Sequence, residues 1–245
     1  MVCAIHDEPL PPRCPVVYLP GVDGTGRLLF RQTGLHDRYT LRCASYPQDD
    51  RHTYADLAAA AVRLLEETGP GVVLAESFGG AVGLLVALQR PDLVRRLVLV
   101  NTFAHYPRRF IIDVLGFVGP WLPNTPTHPA TRPVRGVLFF SPKIPKPEQD
   151  EWWDRTADVP MRVYGHRFRL LAGIDLRPRL HEIEIPALVF AAQNDWVVPA
   201  TAGRLLAKRL PRAKLLAVPV GHAAMIDPRV DVSAWLEDRA LWSAR

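Results

Sequence analysis

The sequence predicts an α/β fold: a mostly parallel central sheet with helices on both faces and an inserted helical lid. Three observations predict it. Short runs of Val, Leu and Ala alternate with stretches of helical spacing. The runs are apolar at successive positions, as strands covered on both faces must be. The alternation stops after Thr102 and resumes at Pro186.

Pro15 to Pro20 reads as a buried strand that ends in the loop Gly21-Val22-Asp23-Gly24-Thr25-Gly26, and Thr40 to Tyr46 reads as a second short strand. Tyr54 to Thr68 carries Ala and Leu at helical spacing until Gly69-Pro70-Gly71 stops it. Val72 to Glu76 is a strand, Phe78 to Gln89 a helix closed by Arg90-Pro91, and Leu93 to Asn101 a further strand. Residues 103–180 hold 11 of the 24 prolines and three of the six tryptophans. There Phe110 to Val118 and Glu148 to Asp158 read as helices, and Pro120 to Pro147 as irregular. After it come strand Pro186 to Gln193, helix Ala200 to Leu210, strand Ala213 to Val220 and helix Val230 to Leu241. The expected organisation is a core of residues 1–102 and 181–245 with residues 103–180 as the lid.

The most specific segment is Val72-Val73-Leu74-Ala75-Glu76-Ser77-Phe78-Gly79-Gly80-Ala81. An apolar run ends in a serine flanked by small residues, and a helix-forming stretch follows at once. A strand–serine–helix elbow of this kind strains the serine backbone and lifts its hydroxyl clear of the sheet. Strand and helix nearly touch there, so positions 75 and 79 tolerate little side chain. An ordinary turn serine is the competing reading of Ser77 alone.

A serine hydroxyl needs a base, and the base needs a partner that fixes its tautomer. Asp195 lies just past one late strand, in Gln193-Asn194-Asp195-Trp196-Val197, and His222 just past the last, in Val220-Gly221-His222-Ala223. Open α/β sheets place their sites at such carboxyl ends. A helix-capping role for Asp195 stays open, as does a substitute role for Asn194 or Asp227. Glu76 either faces the pocket and tunes His222 or meets the positive end of the following helix, and Asp23 is similarly placed. Trp196 and, in the lid, Trp121 are candidates for substrate contact. Phe103, Phe110, Phe117, Phe139 and Phe140 are further candidates for an apolar acyl pocket. Trp152-Trp153 reads better as packing than as contact with substrate.

With three motifs in the order serine, acid, histidine, the chain resembles the α/β-hydrolases over nearly its whole length, apart from a shortened N-terminal sheet. The resemblance implies Ser77 as nucleophile, His222 as general base and then acid, and Asp195 as the residue that orients His222. It also implies an oxyanion hole of two backbone N–H groups. One belongs to Phe78, after the nucleophile. The other belongs to Val22, with Asp23 as the neighbouring alternative, where Pro20-Gly21-Val22 stands in place of the usual His-Gly-x. Leu19 to Gly26 and Glu76 to Gly80 are also similar to a bacterial branch related to plant phytyl-ester and diacylglycerol acyltransferases. The chain is too short for the second acyltransferase domain of those plant proteins.

Composition narrows the function. At 48% apolar, the chain is not of a disordered type, and no apolar run reaches the roughly 18 residues of a membrane span. His6, Asp7 and Glu8 do not fit a signal peptide. Cys3, Cys14 and Cys43 are odd in number and lack metal-ligand spacing, so free thiols and a cytoplasmic location are expected. Residues 103–180 hold 12 Lys and Arg against 7 Asp and Glu, which accounts for the net charge of +5. A solvated basic face is the plain reading, and an acidic carrier protein docking there is the sharper one. No basic run with interleaved aromatics points to nucleic acid. Glycines 21, 24 and 26 lack dinucleotide spacing, and no histidine pair has ligand spacing, so no cofactor or metal is implied. The expected activity is hydrolysis of small to medium apolar acyl esters. Acyl transfer to an alcohol and a non-catalytic binding protein are the alternatives.

Overall fold

Six runs become strands in the computed structural model, which describes residues 9–107 and 132–242. They are β1 (Pro15–Leu19), β2 (Thr40–Cys43), β3 (Gly71–Glu76), β4 (Val94–Val100), β5 (Ala187–Ala192) and β6 (Ala213–Val218). All pair in parallel in the order β2-β1-β3-β4-β5-β6. The chain runs outward from β1 to β2, then returns to β3 on the other side of β1. The carboxyl ends of β1 and β3 therefore flank a topological switch point, where open sheets leave a crevice.

Side chains alternate between two packed faces. Val17, Leu19, Val73, Ala75, Leu97, Leu99 and Val189 face one way. They are covered by α2 (Tyr54–Thr68), α3 (Phe78–Gln89) and α7 (Ala200–Arg209). Val16, Tyr18, Val72, Leu74, Val98, Val100 and Phe190 face the other way, under α1 (Thr33–Arg38) and α8 (Val232–Glu237). Double coverage is why β3 and β5 read as unbroken apolar runs, buried at every position. β6 lies at the sheet edge and alternates instead. The start of α2 is fixed by a capping box in which Thr53 and Asp56 satisfy each other's backbone N–H groups.

Between β4 and β5 lie α4 (Arg132–Phe139), α5 (Lys146–Arg155) and α6 (Met161–Gly173), followed by a 3-10 turn at Arg177–Glu182. The proline-rich stretch expected to be irregular thus contains α4, and α5 starts and stops a little earlier than its composition suggests. Trp153 is buried with Phe140 and Ile144, and the Trp152 and Trp153 rings meet edge to face at 4.7 Å, so this pair packs. The expected helix over Val230 to Leu241 is two pieces, α8 and α9 (Arg239–Trp242). Asp238 breaks it because its carboxylate accepts from Ala240 N–H at 2.9 Å, as an N-cap does. The expected helix at Phe110 to Val118, together with Phe110, Phe117 and Trp121, lies outside the described residues.

Candidate active site

Ser77 directly follows β3, with φ 51° and ψ −117°, a left-handed backbone that a non-glycine residue adopts only under constraint. The constraint is visible on both sides. Ser77 N–H donates to Val100 O at 2.9 Å, and its own carbonyl accepts from Thr102 Oγ1 at 2.6 Å. The start of α3 presses against the loop after β1 so closely that a Cβ on Gly79 would stand 2.4 Å from Leu19 O. Alanine is tolerated at position 75 because the residue facing it is Gly83.

The switch point brings three distant segments together. Ser77 Oγ lies 3.1 Å from His222 Nε2, and His222 Nδ1 lies 2.7 Å from Asp195 Oδ2. A carboxylate only accepts, so the imidazole proton sits on Nδ1, and Nε2 is left to accept from the serine hydroxyl. Asp195 is held by its other oxygen, which accepts from Val197 and Val198 N–H at 2.7 and 2.8 Å. The carboxylate facing His222 is therefore Asp195. Asp227 is taken up by Arg229 and Ser141.

All three groups are nearly closed off from solvent. Burial alone would depress the His222 pKa. The Asp195 carboxylate, through its charge and hydrogen bond, outweighs this with help from Glu76, and the imidazole ends above its ordinary value. Glu76 is buried behind the site, where Tyr18 O–H donates to it. Burial raises its pKa to about 7, against the Tyr18 hydrogen bond and the His222 charge, while Asp23 and Asp195 push it further up. Glu76 is thus bonded across the sheet to Tyr18 of β1.

The loop after β1 lies beside the serine. A Cβ on Gly21 would be 3.7 Å from Ser77 Cβ. Val22 follows Gly21 in this loop, and Phe78 opens α3 directly after Ser77. Asp23 is buried and accepts from Thr25 N–H and Oγ1 through Oδ2, which makes it a brace of this loop. Trp196, next to Asp195 in sequence, is 62% exposed. Phe103 is buried in the core against Tyr106, away from any open surface. The Phe139 ring lies 5.7 Å from that of His222, and Phe139 O accepts from Ala223 N–H at 2.9 Å. His105 is engaged with Ile174 O.

Two residues that the motifs did not point to also hold the site. Asn101, at the end of β4 with φ 47°, donates to His222 O at 2.9 Å and accepts from Ala192 N–H at 2.9 Å. It ties the histidine loop to β5. An Asn closing an apolar run is the available signal, since Asn tolerates the left-handed region. Gln32 donates to Met225 O and Val230 O and accepts from Val232 N–H, which secures the chain just past His222. Its sequence context carries no comparable signal. The described residues contain no His, Cys, Asp and Glu grouping suited to a metal ion.

The model of one family, described as serine aminopeptidase, S33, matches residues 42–222. The protein named "Putative carbamate hydrolase RutD" from Caulobacter sp. strain K31 is 26% identical over 231 residues, covering 89% of this chain and 86% of the relative. Chloroplastic phytyl ester synthase 2 from Arabidopsis thaliana is 31% identical over 123 residues, covering 46% of this chain and 17% of that protein. Among solved structures, the esterase EaEST from Exiguobacterium antarcticum superposes with a TM-score of 0.77 at 19% identity, over 91% of this chain and 90% of that one.

Proposed function

The chain belongs to the serine aminopeptidase S33 family of α/β hydrolases, and on that premise we propose that it is a carboxylic ester hydrolase working through an acyl-enzyme. The carrying observation is the line Ser77 Oγ, His222 Nε2, His222 Nδ1, Asp195 Oδ2 at the strand ends, with Ser77 in a constrained backbone. Ser77 Oγ attacks the ester carbonyl while His222 Nε2 takes its proton. Val22 and Phe78 N–H groups receive the oxyanion. Collapse expels the alcohol, which takes the proton back from His222. Water, deprotonated by His222, then releases the acid and restores Ser77.

The substrate class in this reading is small to medium apolar acyl esters. Residues 103–180 act as a cap over a core of 1–102 and 181–245, and Trp196 borders the entrance. Unpaired Cys14 and Cys43 support a reducing, cytoplasmic location. No helix among the described residues is long and apolar enough to cross a membrane. An acidic carrier gains no support. Arg132, Lys146, Arg155, Arg177 and Arg179 are each engaged by a neighbouring carboxylate.

The test combines fluorophosphonate labelling with a panel of nitrophenyl esters of increasing chain length, a carbamate and an aminoacyl anilide. Wild-type protein should label at Ser77 and favour the esters. Ser77→Ala should stay folded, fail to label and lose turnover by several orders of magnitude. An unlabelled wild type would sustain the non-catalytic reading instead. The RutD relative favours a second reading, carbamate cleavage by the same serine. The plant relative favours a third, acyl transfer, which would appear as new ester when alcohols are added.

A further inference from the structure

Arg167, on α6, heads the large side chains wholly withdrawn from solvent among the described residues. Among the described residues no carboxylate pairs with it. Its guanidinium ends on main-chain carbonyls instead: Nη1 donates to Val22 O at 2.8 Å and Asp23 O at 2.7 Å, and Nη2 to Pro47 O at 2.9 Å. The Tyr46 ring centroid lies 5.6 Å from Cζ. Gly24, at φ +66°, makes the room, because a Cβ there would stand 2.5 Å from Nη1. An apolar side chain would fill this space without burying a charge. Only a planar fork of donors meets adjacent carbonyls in this way.

The consequence concerns one peptide unit. Val22 N–H and Gly21 C=O belong to the same plane, and Gly21 O accepts from Gly24 N–H at 3.0 Å. In a trans peptide, a carbonyl turned into that tight turn sends its N–H the opposite way. The next plane carries Val22 C=O, which Arg167 holds. Both planes flanking Val22 are therefore fixed, one by the turn and one by Arg167. We propose that Arg167 is a positioning residue: it sets the direction of Val22 N–H and makes the oxyanion site depend on the seating of α6. This rests on the reading above that Val22 supplies an oxyanion donor.

Two variants of the full chain test it. Arg167→Met fills the space without donors, and Arg167→Ala leaves a cavity that guanidinium ion can enter. Hydrogen exchange at residues 20–26 should quicken in both variants while β3, β4 and β5 keep wild-type protection. For the best ester, kcat should fall about 100-fold, as a displaced oxyanion donor requires, with KM within about threefold. Millimolar guanidinium should restore about tenfold of kcat to Arg167→Ala. The inference is overturned by loop exchange equal to wild type, by an unchanged kcat, by a loss carried in KM, or by protection lost throughout the sheet. If wild type neither labels nor turns over esters, the ester reading falls by itself, and the exchange measurement still decides whether Arg167 clamps the loop.

Discussion

Glu76→Gln isolates a buried carboxylate that sits against the site without a mapped contact to substrate. The groups facing Glu76 are Tyr18 from β1, Asp23 from the loop after it, Asp195 from the loop after β5 and His222 from the loop after β6. Its pKa of about 7, against an ordinary 4.5, means that the folded protein prefers it protonated. Below pH 4.5 the group is neutral in both folded and unfolded chains and contributes nothing. As pH rises towards 7, the unfolded chain ionises it freely and the folded chain resists, so stability falls. Above about 7 the penalty is complete, at about 3 kcal/mol. Glutamine keeps an acceptor for Tyr18 O–H and does not ionise. Chemical denaturation followed by tryptophan fluorescence should therefore show a variant that gains on wild type by about 2–3 kcal/mol between about pH 5 and pH 8. The same change removes a negative charge that favours the imidazolium of His222. The acid limb of kcat/KM, which in wild type lies above 6.5 because His222 is raised, should move to lower pH in the variant. A stability difference that stays flat across this range, or an acid limb displaced to higher pH, would refute the reasoning.

Three further perturbations address separate links. Asp195→Asn keeps a group able to accept from Val197 and Val198 but frees the other imidazole tautomer, so kcat should fall about 10⁴-fold in ester assays while the fold persists. Asn101→Ala leaves Ala192 N–H and His222 O buried without their partner, and it places alanine at φ 47°. Urea titration should report a loss of about 2–4 kcal/mol, with kcat reduced as the histidine loop slackens. Thr53→Ala opens the capping box of α2, costing about 1 kcal/mol in the same titration.

The parts of the fold legible in the sequence are those whose cause is local. β3, Ser77 and α3 follow one another within twenty residues, and each announces itself: an unbroken apolar run, then small residues, then helical spacing closed by Arg90-Pro91. Asp195 and His222 were legible because each follows a recognisable strand, and parallel topology sends all such ends to one edge. α4 was missed because Pro133 and Gly136 argue against a helix, yet a proline sits comfortably in a first turn. α6 was missed for a different reason. Met161, Tyr164, Phe168 and Leu171 do recur at helical spacing, but the arginines between them read as a solvated face. The same spacing puts position 167 beside 164 and 171, on the side that becomes buried. A cation on an apolar stripe is the signal that was available. What it lacked was a sequence-local partner, since the carbonyls it meets are about 120 to 145 residues away. Main-chain acceptors have no side-chain signature, so groups that brace a site through backbone carbonyls, Arg167 and Asn101 alike, become visible only when the chain is folded. The proposed reacting side chains must be of particular types and so can be found in sequence. Their supports need only reach.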